Sequence, residues 1–145
     1  YKRQVINNCA NRKTTWINST IYDLFINLHQ KGFAHSVEVS RNKVLVGGLY
    51  GLSLGSVFFA ESMFSIFPNS SKLALIAMMG KINYGGFKVF DTQFPSKHLS
   101  TLGGTSITKE EFEQKLQYTN DTSADFNRFP NLKNWEEFLY YGTEK

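Results

Sequence analysis

One cysteine in 145 residues, and no apolar run near the roughly 20 residues of a membrane helix, set the first limits on this chain. Cys9 alone cannot build an intramolecular disulfide framework, and it fits a reducing compartment. No signal-peptide pattern opens the sequence, so a soluble, cytoplasmic protein is expected. The chain starts at Tyr1 rather than Met, which reads as part of a longer protein. The strings G-x-x-x-x-G-K-[ST] and G-x-G-x-x-G are both missing, which removes support for nucleotide binding of those types. His29, His35 and His98 have no ligand spacing with Cys9 or with an acidic pair, so no metal is expected. Internal repeats are missing too.

What is present is apolar and aromatic. Hydrophobic residues make up 41% of the chain, with 13 Phe and 7 Tyr, too much for a disordered segment and enough for one core. Sixteen Lys and Arg against twelve Asp and Glu leave +4, which is compatible with a polyanionic partner without demonstrating one.

Periodicity organises the middle of the chain. Ile21, Leu24, Phe25 and Leu28 lie at helical spacing, so a helix is expected over Asn18 to Gln30, capped by Asn18 or Ser19 and stopped by Gly32. Val37 and Val39 alternate with polar residues over Ala34 to Ser40, and the turn Arg41-Asn42-Lys43 leads into Val44-Leu45-Val46, which predicts a hairpin. Gly47, Gly48, Gly51 and Gly55 punctuate the next stretch before a third strand at Ser56 to Ala60. Pro68 to Ser71 reads as loop and cap. Lys72 to Ile82 is apolar almost all round, as a buried helix is. Gly85-Gly86 stop it, and Phe87 to Phe90 form a short buried strand ending at Asp91. Thr108 and Glu111 have capping-box spacing and start a helix through Leu116. Thr119 to Asn131 is polar, and Asn134 to Tyr141 suggests a last short helix. The plan is α+β (or α/β-like), a mixed sheet flanked by helices.

Three patches stand out chemically. Glycines in Gly47-Gly48-Leu49-Tyr50-Gly51, after His35-Ser36-Val37-Glu38, let a backbone approach a ligand, but they equally suit a bulged sheet, and the structural reading is preferred. Glu61 sits among aromatics in Phe58-Phe59-Ala60-Glu61-Ser62-Met63-Phe64-Ser65. Burying its charge costs several kcal/mol unless it is paired, so Glu61 marks a strand end, a partner or a site. Asp91 in Phe90-Asp91-Thr92-Gln93-Phe94-Pro95 follows an apolar strand, where α/β sheets place ligand-binding groups; a turn cap for Thr92-Gln93 is the plain alternative. Cys9 reads as a buried thiol rather than a nucleophile, and Lys2, Arg3, Arg12 and Lys13 as a solvated basic face.

The words Thr15-Trp16-Ile17, Gly32-Phe33-Ala34-His35-Ser36-Val37-Glu38-Val39, Leu45-Val46-Gly47-Gly48-Leu49-Tyr50-Gly51 and Phe59-Ala60-Glu61-Ser62-Met63-Phe64-Ser65 stand in a telling order. Asn69-Ser70-Ser71-Lys72, Phe90-Asp91-Thr92-Gln93 and His98-Leu99-Ser100-Thr101-Leu102-Gly103 follow them. Together, over Val5 to about Leu116, they resemble the leucyl/phenylalanyl-tRNA–protein transferases. The resemblance implies an acetyltransferase-like (GNAT-related) catalytic domain over residues 1–118, with 119–145 as an extension packed on it. It also implies a monomer without a cofactor that moves Leu or Phe from aminoacyl-tRNA to a protein or peptide beginning with Arg or Lys, N-end rule tagging for degradation. Its partners would be that tRNA and that protein, with no membrane.

Position by position, the resemblance assigns Asp91 to orienting Gln93, and Gln93 to accepting the amine proton through its amide oxygen. Glu61 would lie near the amino group of the aminoacyl moiety. Leu49, Phe58, Met63 and Phe90 would line an apolar side-chain pocket, discriminating similar hydrophobes by only about 1–3 kcal/mol per methylene. Trp16 and Phe25 would stand near the acceptor end or the peptide, where stacking on a base is worth about 1–3 kcal/mol. Two departures accompany the match. The family's N-terminal domain has no counterpart in these residues, and a family Asn that faces peptide or tRNA is replaced by Ser96. The rivals are an acyl-CoA-dependent N-acetyltransferase, whose pyrophosphate loop is missing, and a non-catalytic paralogue that holds tRNA or peptide. Retention of Glu61, Asp91 and Gln93 argues against the second.

Overall fold

Several element ends fall where side chains can satisfy them. The computed structural model describes residues 2–11, 13, 15–117, 119, 124–128 and 140. After α1 (Lys2–Ala10), α2 (Ser19–Gln30) opens with the Asn18 side chain accepting from Ile21 N at 2.9 Å, and Gly32 takes the left-handed φ of 83° just beyond its end. Phe25 of α2 is buried, with Ile21 and Leu28 packed beside it, but Leu24 is 53% exposed and does not share the apolar face expected for it.

The strands β1 (Ala34–Arg41) and β2 (Val44–Leu54) are joined by Asn42 and Lys43, both at positive φ, the two-residue turn whose twist suits a hairpin. β3 (Val57–Ser65) pairs antiparallel with β2, and β4 (Val89–Asp91) pairs parallel with β3, giving a mixed sheet in the order β1-β2-β3-β4. Between them runs α3 (Ser70–Gly85), stopped by Gly86 at φ 82°, and the chain continues through α4 (Lys97–Ser100) and α5 (Lys109–Gln117). The capping box on α5 is formed both ways: Thr108 N donates to Glu111 and Glu111 N to Thr108 Oγ1. The helix expected over Asn134 to Tyr141 lies, Tyr140 apart, outside the described residues.

The glycine stretch is not a loop. β2 runs straight through it, because helix and rings press on the sheet there. A Cβ at Gly47 would lie 2.6 Å from the Ser70 Cβ at the start of α3, and one at Gly51 would lie 2.6 Å from the Phe58 ring. The structural reading of these glycines therefore holds. Strand β3 also outruns its expected end at Ala60, for a reason that shapes the site. Tyr50 pairs with Ser62 and Gly51 with Ala60, so Glu61 is an extra residue, a β-bulge. The bulge breaks the alternation on which a strand is recognised: Phe58 packs in one core cluster and Phe64, an even number of residues on, packs in the other.

Both sheet faces are covered. On one, α3 with Phe58, Leu49, Val37, Val39, Leu99 and Phe126 forms the larger core; on the other, α1 and α2 close over Leu45, Tyr50 and Phe64. Cys9 is fully buried in the second. Among the described residues no helix is long and apolar enough to cross a membrane.

Candidate active site

The bulge lifts Glu61 out of the strand ladder and holds it half-buried beside the end of β4. Chain geometry brings the other two groups to it. At the end of β4, the Asp91 carboxylate accepts from Gln93 N at 2.7 Å, and Phe94 N donates to Thr92 O at 2.7 Å. The second of these bonds closes a three-residue γ-turn around Gln93, whose φ is +64°, and the first braces its start. A γ-turn of this hand is rare and strained for a residue bearing a side chain, and such strain collects at functional sites.

The turn aims Gln93 back at β3. Its Nε2 donates to Ala60 O at 3.2 Å, and its side chain hydrogen-bonds the Glu61 carboxylate. Both partners are acceptors, which fixes the amide with its nitrogen toward β3 and its oxygen away from it. Burial raises the Glu61 carboxyl above its ordinary 4.5, the Gln93 hydrogen bond lowers it, and the neighbouring negative charge of Asp91 raises it further. The result is two carboxylates and an amide oxygen at one end of a sheet, an arrangement that attracts a cation and accepts hydrogen bonds from it.

A groove of about 660 Å³ leads from this cluster. Phe90, Asp91, Gln93, Phe94 and Ser96 line one side, and the segment 104–108 the other. Of the residues expected to line an apolar pocket, Phe90 opens onto this groove, whereas Phe58 and Leu49 are 0% and 1% exposed within the packed core. Phe58 stacks on Phe126 at 5.7 Å and meets Phe90 edge-on at 6.0 Å; Met63, partly buried, pairs with Leu49 across the strands. Ser96 is exposed on the groove wall, and its hydroxyl accepts from Leu99 N at 3.1 Å, capping α4.

Trp16 and Phe25 lie on the other face. Trp16, 49% exposed, meets Phe25 edge-on at 6.4 Å, and Phe25 meets Tyr50 at 5.0 Å. This aromatic row ends on the strand position opposite Ser62, next to the bulge. An apolar cavity of about 230 Å³ beside Phe25 and Tyr50 adjoins it. His35 is held against Ser53 and Phe126, and Glu38 accepts from Ser36 at 2.6 Å, so the first sequence patch is part of the scaffold. Sequence reasoning missed the groove wall at 104–108 and the exposed Phe94 at its mouth; the Phe94-Pro95 pair after an acidic turn was the available signal. Among the described residues, no group of three His, Cys, Asp or Glu side chains is placed to hold a metal ion.

Comparison with known proteins matches residues 2–117 to a family profile described as Leucyl/phenylalanyl-tRNA protein transferase. Proteins called leucyl/phenylalanyl-tRNA–protein transferase from Dinoroseobacter shibae and from Ruegeria sp. (strain TM1040) are similar to the chain. The first is 42% identical over 126 residues, covering 87% of the chain and 56% of that relative. The second is 46% identical over 122 residues, 84% and 58%. A Maricaulis maris protein of the same description is 42% identical over 130 residues, 87% and 60%. The chain thus spans a little over half the length of these relatives.

Proposed function

The chain belongs to the leucyl/phenylalanyl-tRNA–protein transferase family, and from that premise we propose that the Glu61–Asp91–Gln93 cluster transfers leucine or phenylalanine from tRNA to the N-terminal amine of a protein beginning with Arg or Lys. The observation that carries the reading is the strained turn that pins the Gln93 amide nitrogen to β3 and turns its oxygen outward. An attacking amine needs an acceptor for its N–H and a fixed line of approach, and little more, because aminolysis of an ester runs downhill. Positioning therefore supplies most of the effect.

In the step itself the amine nitrogen bonds to the ester carbonyl carbon and the bond from that carbon to the tRNA ribose oxygen breaks. The nitrogen loses a proton and the ribose oxygen gains one. The Gln93 oxygen accepts from the amine and orients its lone pair; an amide is too feeble a base to keep the proton, so the Asp91 carboxylate takes it. Glu61 holds the amino group of the aminoacyl moiety. Phe90, with Leu49, Phe58 and Met63 behind it, forms the apolar surface for the leucyl or phenylalanyl side chain, and Trp16, backed by the buried Phe25, faces the acceptor end of the tRNA. The domain over residues 1–118 is acetyltransferase-like in this reading; most of the extension 119–145 lies outside the described residues.

Transfer of labelled leucine from charged tRNA to a peptide starting with arginine tests the proposal. The unaltered chain is expected to transfer, and Asp91→Ala and Glu61→Ala to lose about 100-fold or more in kcat/KM. Transfer undiminished in both variants would remove the site assignment, and binding of charged tRNA or peptide without transfer would favour the non-catalytic reading.

A further inference from the structure

The outer wall of the groove is unusual in its backbone. Residues 104–108 form neither helix nor strand. The main-chain groups of Thr105, Ser106 and Ile107, all exposed, make no hydrogen bond to another described residue. The inner wall is β4, an edge strand of the sheet. Val89 N turns inward to Ser56 O at 3.3 Å, so the N–H and C=O of the next residue, Phe90, point outward from the sheet. Main-chain donors and acceptors that no protein group uses thus line one groove of about 660 Å³, the situation in which an extended peptide adds itself as a strand.

Asp91 lines the groove, and its carboxylate acts on that of Glu61 close by, which makes this part complementary to an ammonium group. The walls also carry hydroxyls and apolar side chains: Phe94 is 77% exposed and Ile107 42% exposed. A chain whose amine sits at Asp91 and Gln93 would run past these side chains, with its backbone between the two walls.

We infer that the groove between the outer edge of β4 and residues 104–108 receives the main chain of the acceptor protein, the residues that follow its N-terminal one, as an added strand. The inference rests on the transfer reading above and extends it. Recognition there is by backbone hydrogen bonds and is tolerant of side-chain identity, so acceptors of diverse sequence after the first residue fit equally.

The test compares three acceptors in the transfer reaction of the full chain: arginine amide, a pentapeptide of arginine followed by four alanines, and the same pentapeptide N-methylated at the amides of its third and fourth residues. The KM of the plain pentapeptide is expected about tenfold below that of arginine amide, the worth of one or two net backbone hydrogen bonds. N-methylation is expected to return it to the arginine-amide level. In Ser106→Pro, which removes a donor from the groove wall, the penalty of N-methylation shrinks to less than about twofold. Equal KM values for the plain and N-methylated pentapeptides, with transfer to both intact, would overturn the groove assignment and leave the transfer reading standing. Transfer to none of the three acceptors would overturn both. Should Ser106→Pro fail to fold, the comparison of peptides on the unaltered chain still decides.

Discussion

Replacing Gln93 by alanine and by glycine separates the strain in the γ-turn from the bonds made by its side chain. Both substitutions delete the hydrogen bonds to Ala60 O and Glu61, so that loss cancels when the two variants are compared with each other. What remains is the backbone at φ +64°. Holding an L side chain in the left-handed region costs about 1–2 kcal/mol, which glycine escapes. Glycine also has more freedom in the unfolded chain, which gives back about 0.4–1 kcal/mol. The net expectation is that Gln93→Gly is more stable than Gln93→Ala by about 0.5–1 kcal/mol, or roughly 2–4 °C for a chain of this size. Relative to the unaltered chain, alanine loses about 0.5–1.5 kcal/mol for the missing side-chain bond, and glycine stays close to it. Urea unfolding at equal slope measures the difference as a shift in midpoint of a few tenths of molar, roughly. An alanine variant as stable as the glycine variant would refute the strain. Both are expected to lose transfer together, since neither retains the amide oxygen.

Three further outcomes are expected. Folding raises the Glu61 carboxyl above its ordinary 4.5, so the fold favours the protonated form. Its contribution is fully present below that value and is lost as pH rises through the higher folded value. Glu61→Gln should therefore match the unaltered chain in stability below pH 4.5 and exceed it increasingly above, modestly because the group is only half-buried, while losing transfer; thermal unfolding across pH checks this, and a variant less stable at neutral pH would contradict it. Gly47→Ala places a Cβ 2.6 Å from that of Ser70 and pushes the start of α3 off the sheet, at about 1–3 kcal/mol by chemical denaturation; an unchanged midpoint would refute the close approach. Phe126→Ala removes a buried ring stacked on both Phe58 and His35, at about 3–5 kcal/mol, and a loss below about 1 kcal/mol would mean that the segment around it is not part of the core.

Short-range signals carried the sequence a long way. The Asn18 cap, the Gly32 and Gly86 stops, the Thr108–Glu111 box and the β1–β2 hairpin each act within a few residues, and each was legible because its cause is local. The family was legible for a different reason: its words are specific in identity and order, independent of what they touch. Asp91 and Gln93 stand two positions apart, so their hydrogen bond was within reach of a turn argument.

Tertiary structure decided what depended on register and on distant packing. Glycines 47, 48 and 51 suited a bulged sheet from the sequence, but nothing in their neighbourhood announces Ser70, Phe64 or Phe58, the groups that press against them across the fold. The bulge at Glu61 is a property of pairing with β2, not of β3 alone, and it hid the second half of that strand by inverting its alternation. The meeting of Gln93 with Ala60, 33 positions away, exists only because β4 lies parallel beside β3. Composition and periodicity sense a residue's own few neighbours; a site made of a bulge on one strand and a turn after another is defined by the sheet that joins them.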